Sequence, residues 1–270
     1  MKIPERKRLR RERLQTAPFP PEWKEIIARN LPIFARLPTD DQEELIGHVQ
    51  VFLAEKRFEG CGGLELTDEI RVTIAAQACL LLLHRETDYY PELTTILVYP
   101  STYVVEEDRY VGNDLWEQGP DHRLGHTARR MGSLVLAWDE VKHGAADPAD
   151  GQNLVVHEFA HQLDFEEPNS DGAPALNTRA EYLTWARVMR REFDALREAE
   201  ETGTESVLDT YGGANPAEFF AVATEAFFER PRALREKNRQ LYDQLAAFFR
   251  QDPIAYTAEE KRQRRRGDPQ

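Results

Sequence analysis

Long apolar runs are missing from this sequence of 270 residues. A membrane-spanning helix needs about 18 or more consecutive apolar residues, so no membrane span is expected. Met1 to Leu14 is basic and carries no apolar stretch, so it is not expected to act as a secretory signal. Cysteine is scarce: Cys61 and Cys79 are the only two, and no paired zinc-type cysteines occur. A reduced, cytoplasmic setting is the corresponding expectation. Net positive charge is confined to the two ends of the chain. The net charge is −13, yet residues 1–15 carry +5 and residues 261–270 carry +4, which leaves −22 on the rest. An acidic body argues against direct nucleic-acid binding by the core, and the basic ends read as solvated, flexible tails. Internal repeats are absent too. No histidine follows His161, a lack that narrows the chemistry considered next.

What is present is a 41% hydrophobic fraction, enough for a sizeable core, and the segment Val156-His157-Glu158-Phe159-Ala160-His161-Gln162-Leu163-Asp164. It contains His-Glu-x-x-His. Two histidines four apart lie about 40° apart around a helix, so both rings leave one face. Two neutral imidazoles can take two corners of a tetrahedral zinc site. Glu158 stands beside them, where a carboxylate can accept a proton from water at the metal. Asn153 to Val156 lead in, and Phe159, Ala160 and Leu163 give the helix an apolar side to bury. The bland alternative is a solvated helix face that happens to carry these residues.

A catalytic zinc needs a third protein ligand and an open position. After His161 the chain runs Asp164-Phe165-Glu166-Glu167-Pro168, which rules out the nearby Gly-then-His continuation of the metzincins. The third ligand should be a downstream carboxylate. In Tyr211 to Phe228, Asn215 reads as an N-cap and Pro216 as the first helical residue. Phe219, Val222, Ala223, Ala226 and Phe227 form an apolar stripe. Glu218 and Glu225 lie about two turns apart on a neighbouring face, and spacing alone divides the ligand role evenly between them. Glu218 also suits a capping box. Asp164 is too close to His161 to reach back as a ligand and reads as an outer acceptor for an imidazole or as a helix-end residue.

These residues bring a family into view. The chain resembles the Mlc titration factor A family of bacterial zinc peptidases, itself related in its catalytic core to anthrax lethal factor. The likeness is carried by Leu93 to Pro100 with Tyr103-Val104-Val105, by Gly132 to Trp138, by Asn153 to Asp164, by Tyr211 to Phe228 with its Asn-Pro-Ala-Glu-x-Phe-Ala run, and by Phe248 to Pro253. It spans about Leu31 to Pro253 and is weakest over Asp108 to Arg130. The resemblance implies His157, His161 and Glu218 as zinc ligands, Glu158 as the base and Tyr211 as a tyrosine facing the metal. A phenol there could donate to the oxyanion formed on peptide attack; the plainer reading is a loop tyrosine packed beside Gly212-Gly213. The resemblance also implies aminopeptidase-type activity on short peptides and binding of a Mlc-type transcriptional repressor in control of the sugar phosphotransferase system. The rival class is a binding protein that keeps this fold while sequestering a regulator. A secreted, toxin-like protease is a further alternative, disfavoured by the lack of a signal.

The expected fold is α+β and mainly helical: a zincin-like metallopeptidase core with a small sheet and an N-terminal helical layer. The boundaries read as a charged tail over 1–21, one zinc metallopeptidase domain over 22–253 with a helical part to about 92, and a basic tail over 254–270. In detail, Glu22 to Phe58 reads as helices, Glu59 to Gly63 as a turn, and Thr67 as the cap of a helix through His84. Ile96 to Tyr99, Tyr103 to Val105 and Leu134 to Trp138 read as strands. Lys142 to Gly151 reads as a polar loop, the zinc helix as about Gln152 to Asp164, and further helices as Arg179 to Glu201, Pro216 to Glu229 and Arg235 to Arg250. Gly132 to Trp138 suits either an edge strand that holds substrate backbone or an ordinary buried strand. His122 and His126 form a second His-x-x-x-His pair, but glycine and the missing glutamate argue against a second metal site. His48, His84 and His143 read as structural or surface residues.

Overall fold

The helix capped by Thr67 lies at the centre of the molecule. The computed structural model describes residues 3–256 apart from 102, 113–114, 124, 129–131, 147–149 and 167–170, and between 102 and 131 it describes backbone alone. Among the described residues three α-helices precede this central one, α1 (Glu5–Gln15), α2 (Pro21–Asn30) and α3 (Thr39–Glu55), with a 3-10 helix at Pro32–Arg36 between the last two. The central helix, α4 (Asp68–Leu80), begins where Thr67 Oγ1 accepts the Ile70 N–H at 3.3 Å. Ile74, Ala75, Ala78, Leu81 and Leu82 are fully buried, so the apolar stripe read from the sequence faces the core. It ends at Leu80 and continues as turns, short of His84.

The sheet stands beside these helices. Strands β1 (Arg57–Gly60) and β2 (Thr95–Tyr99) pair in parallel, with Phe58 opposite Ile96. The hairpin β3 (Tyr103–Gly112) and β4 (Leu115–Arg123) follows, then β5 (Gly125–Ala128) and β6 (Ser133–Ala137). The order across the four-stranded sheet is β1-β2-β6-β5, with β6 parallel to β2 and antiparallel to β5. Entry to β6 depends on Gly132: its φ is +60°, and a Cβ there would stand 2.9 Å from Glu92 O, so only glycine fits without a shift.

The second half is helical. It comprises α5 (Trp138–Ala146), α6 (Leu154–Asp164), α7 (Arg179–Thr202), α8 (Pro216–Glu229), α9 (Pro231–Lys237) and α10 (Arg239–Phe249). The chain is thus mainly helical with a small, largely parallel sheet. The histidine-bearing α6 buries Val155, Val156, Phe159, Ala160 and Leu163. Phe159 meets the rings of Tyr90 at 4.8 Å and Phe52 at 5.7 Å, an aromatic cluster that ties α6 to the N-terminal half of the chain. Truncating such a buried phenylalanine typically costs about 3–5 kcal/mol.

Several expectations change. Residues 5–15 form a docked helix rather than a solvated tail: Arg11 is buried, bonded to Glu55 Oε1 at 2.9 Å and paired with Asp88 at 2.7 Å. Their charge is used in contacts, which composition could not show. Phe58 to Gly60 belong to β1, because pairing with β2 outweighs the local turn signal of the glycines. Trp138 starts α5 rather than ending a strand, and α5 runs into the segment expected to be a polar loop. The last expected helix is divided at Asn238 into α9 and α10, and α9 opens at Pro231, before the expected start at Arg235. The strand of 133–137 is paired on both sides, so it is interior to the sheet; β1 and β5 are its outer strands among the described residues.

Candidate metal centre

Two helices bring the site together. Asn153 caps α6, its Oδ1 accepting Val156 N–H at 3.0 Å, and Asn215 caps α8 in the same way through Glu218 N–H, also at 3.0 Å. With Pro216 at the first helical position, α8 starts where the sequence expected. The capping-box reading of Glu218 is thereby half met: its N–H is the cap's donor, while its carboxylate points elsewhere.

That carboxylate meets both histidines. Glu218 Oε2 lies 3.0 Å from His157 Nε2 and 3.4 Å from His161 Nε2, and the two imidazole nitrogens are 3.2 Å apart. Ligands at about 2.0–2.1 Å from a tetrahedral metal are separated by about 3.3–3.4 Å. The three atoms therefore already have nearly the mutual spacing that one small divalent ion imposes, and all belong to types that bind such an ion. Without a cation at the centre, burial alone would lower the His157 pKa, but hydrogen bonds to Glu218 and Glu225 prevail and push it up to about 10. Burial would raise Glu218, but the two histidines hold it down at about 2. The pocket thus stabilises positive charge between its carboxylates, the electrostatic condition for a cation site.

Glu225 lies on the other side of the same ring. Its Oε1 is 2.7 Å from His157 Nδ1, and its Oε2 accepts the Asn153 backbone N–H at 2.5 Å. Burial raises its pKa against those bonds. Spacing alone divided the ligand role between Glu218 and Glu225, and the family resemblance implied Glu218. The geometry places one at Nε2 and the other at Nδ1, where a carboxylate fixes ring orientation.

Glu158 is buried, on the turn of α6 that carries His157, and its charge raises the His157 pKa. Tyr211 lies on a 3-10 turn, Thr210–Gly213, capped by Asp209 Oδ1 at 2.8 Å from Tyr211 N. Its ring is 6.1 Å from that of His157 and is 59% exposed. It overlooks the imidazole rather than packing into the loop, while Gly212 takes the buried place against Leu196 and Val222. Among the described residues Asp164 bonds to backbone rather than to an imidazole. As the last residue of α6, fully buried, it accepts the Gly172 N–H at 3.0 Å, and burial raises its pKa, although the charge of His161 pulls it down.

Gly172 was not anticipated. Its φ is +77°, a Cβ would stand 2.2 Å from Pro216 O, and Trp185 Nε1 donates to its carbonyl at 3.0 Å. It joins the end of α6, the face of α7 and the start of α8, so it sets where Glu218 begins. A glycine beside a stretch of Pro, Asn, Ser and Asp offered no signal except turn propensity.

The remaining histidines behave differently. His84 is held on both nitrogens, by Asp41 Oδ2 at 3.4 Å and Glu44 Oε2 at 3.3 Å. His48 Nδ1 meets Tyr89 Oη at 2.7 Å, and His143 is exposed 3.9 Å from Asp150. The side chains of His122 and His126 lie outside the described residues; their backbones are on β4 and β5.

Comparison with known proteins accords with this site. Residues 6–250 match the glucose-regulated metallo-peptidase family M90. The chain belongs to that family. An uncharacterized protein of Synechocystis is 38% identical over 245 residues, covering 91% of this chain and 89% of that protein. Mlc titration factor A of Yersinia pestis and that of Yersinia pseudotuberculosis are each 31% identical over 237 residues, covering 87% of this chain and 86% of theirs. Membership of this metallopeptidase family implies a metal ion, and His157, His161 and Glu218 are suited to hold it. Among the described residues, no helix is long and apolar enough to cross a membrane.

Proposed function

We propose that this member of the M90 family is a zinc-dependent peptidase with a zincin-like core, acting as an aminopeptidase on short peptides. The observation that carries the reading is the convergence of His157 Nε2, His161 Nε2 and Glu218 Oε2 within 3.0–3.4 Å. Zinc, when bound, supplies Lewis acidity toward a peptide carbonyl and makes water a better acid. Glu158, beside the metal ligands but not among them, takes the proton from the attacking water and delivers it to the leaving amine. Tyr211, exposed above His157, donates its phenolic hydrogen to the oxyanion. Glu225 keeps His157 oriented from Nδ1. The outer strand β5 offers backbone groups to an extended peptide, the strand-addition role that β6, paired on both sides, cannot fill. The aminopeptidase assignment and the preference for short substrates rest on the family resemblance.

The name of the Yersinia relatives supports a second activity, binding of a Mlc-type repressor. A purely sequestering protein is the alternative, and the assembled three-ligand set favours catalysis over it. Hydrolysis of a panel of aminoacyl-nitroanilides tests the reading. Activity abolished by chelator, restored by zinc and missing from Glu158→Gln is expected. Inactivity of the zinc-loaded protein on every substrate would overturn the aminopeptidase assignment. A pull-down with Glu158→Gln would then ask whether a repressor is retained without turnover.

A further inference from the structure

A cleft of about 810 Å³ lies between the turns after α4, the start of α7 and α10. Its size falls within the range of small-molecule sites. None of the metal-centre residues is among the described residues that line it. Leu176, Ala247 and Phe248 give it apolar surface, and Arg85 lines it too. The guanidinium carbon of Arg85 stands 3.9 Å from the centroid of the Phe248 ring and 5.9 Å from that of Phe249. Arg11, also buried, has Glu55 and Asp88 as ion partners. Arg85 has no such partner: among the described residues no carboxylate or carbonyl bonds its guanidinium, and its Nη1 is buried without a hydrogen-bond partner. Burial lowers its pKa, and the charge of Glu166, acting without an ion pair, offsets this only in part. A guanidinium stays charged and carries five donors in a fixed fork. Burying that charge without an anion is costly, and an anion entering from the cleft would supply what the chain does not.

The other charges of the cleft narrow the ligand. Asp88 is paired with Lys7 and Arg11, each at 2.7 Å. Glu181 Oε2 accepts the N–H groups of Asn177 at 2.8 Å and Thr178 at 3.2 Å, and Arg250 donates to His84 O at 3.2 Å. Glu86 and Glu166 keep negative charge in the lining, which disfavours a doubly charged head such as phosphate and admits a single carboxylate. The side-chain amides of Asn177 and Gln244 line the cleft without partners among the described residues, and they suit the N–H and C=O of an amide. We infer that this cleft binds a carboxylate on an apolar, amide-bearing body, as presented by an N-acylated aromatic amino acid or by the last residue of a peptide, with Arg85 as the partner of the carboxylate. The inference stands independently of the peptidase reading.

Calorimetric titration of the full-length, zinc-loaded protein with N-acetylphenylalanine, its neutral carboxamide and phenyl phosphate tests it. The carboxylate is expected to bind, and the carboxamide and the phosphate to bind about tenfold or more weakly. An acetylated tripeptide with the same last residue separates the two sources. Tighter binding than N-acetylphenylalanine marks a peptide end; equal or weaker binding marks a free acylated amino acid. Arg85→Met keeps an unbranched side chain against Phe248 and removes the charge, and it should lower affinity about tenfold or more with zinc content unchanged. Ala247→Trp, at an exposed position of α10, fills the cleft and should abolish binding; it carries the test alone if Arg85→Met does not fold. Absence of carboxylate binding, equal binding of the carboxamide or the phosphate, or unchanged affinity in Ala247→Trp or in folded Arg85→Met would overturn the inference. So would a loss of affinity that comes only with loss of zinc, which would place the carboxylate on the metal instead.

Discussion

Glu225 holds His157 from behind, its Oε1 2.7 Å from the Nδ1 atom of the ring that offers Nε2 to the metal centre. Glu218 and Glu225 are separated by about two turns of α8, so both project toward α6, and one ring receives both. In the proposed reading the first binds the metal and the second aims the ring.

The two carboxylates should therefore fail differently. Glu218→Ala removes a ligand and should abolish tight zinc binding. Glu225→Ala should weaken zinc binding by about 10–100-fold, the usual cost of losing an acceptor behind a metal-bound histidine. Competition against a chromogenic chelator measures both. Wild-type affinity in Glu225→Ala would remove the orienting role.

Glu158 and Tyr211 are predicted to affect turnover without affecting metal content. Glu158→Gln should retain stoichiometric zinc and lose about 10²–10⁴-fold in kcat. Tyr211→Phe should lose about 10²–10³-fold if its hydroxyl reaches the oxyanion. Metal analysis alongside kcat separates this from damage to the site, and a Tyr211→Phe enzyme with unchanged kcat would leave the tyrosine as a rim residue only.

Much of this centre was legible because its signals are local. The spacing of His157 and His161, the cap at Asn153 and the Asn215-Pro216 start of α8 each depend on neighbours in sequence. What was not legible depends on residues far apart in the chain. Spacing left Glu218 and Glu225 even and only the family resemblance favoured Glu218; that the two carboxylates meet opposite nitrogens of His157 needed the relative placement of α6 and α8. The docking of α1 needed Glu55 and Asp88 to meet Arg11. The strand at 57–60 needed β2 as its partner, and β6 could be recognised as interior only once β5 was in place.

Gly172 gives a stability prediction that also reads on the site. Its positive φ and the 2.2 Å approach of a Cβ to Pro216 O mean that Gly172→Ala must move backbone, not a flexible side chain. A loss of about 2–4 kcal/mol in unfolding free energy is expected. Because the displaced atoms belong to the first residue of α8, zinc affinity should fall as well. Denaturant melts with and without zinc would show both, and a stable variant with normal zinc affinity would break the link between this loop and Glu218.

Lys56 gives a prediction in pH. Its Nζ donates to Tyr90 O at 2.7 Å and to Leu93 O at 2.6 Å, which fixes the turn whose Tyr90 ring supports Phe159 of α6. Burial lowers its pKa from 10.5 to about 8, partly offset by the charge of Glu55. Below about pH 8 the lysine is charged in both folded and unfolded chains, and the folded state bears the cost of burying the charge. Between about pH 8 and 10.5 the unfolded chain binds the extra proton, so stability contributed by this group rises with pH. The stability of the wild type relative to Lys56→Met should accordingly increase across that window, by up to about 3 kcal/mol. Tyr89, Tyr90 and Cys79, all raised chiefly by burial, oppose folding in alkali in both proteins, so the comparison with the variant removes their contribution. Urea unfolding of the pair at pH 7, 8, 9 and 10 supplies the measurement. A difference that stays flat or falls with pH would mean that the ammonium is better solvated than its burial implies, and would leave the two carbonyl bonds as its whole contribution to holding the turn beneath α6.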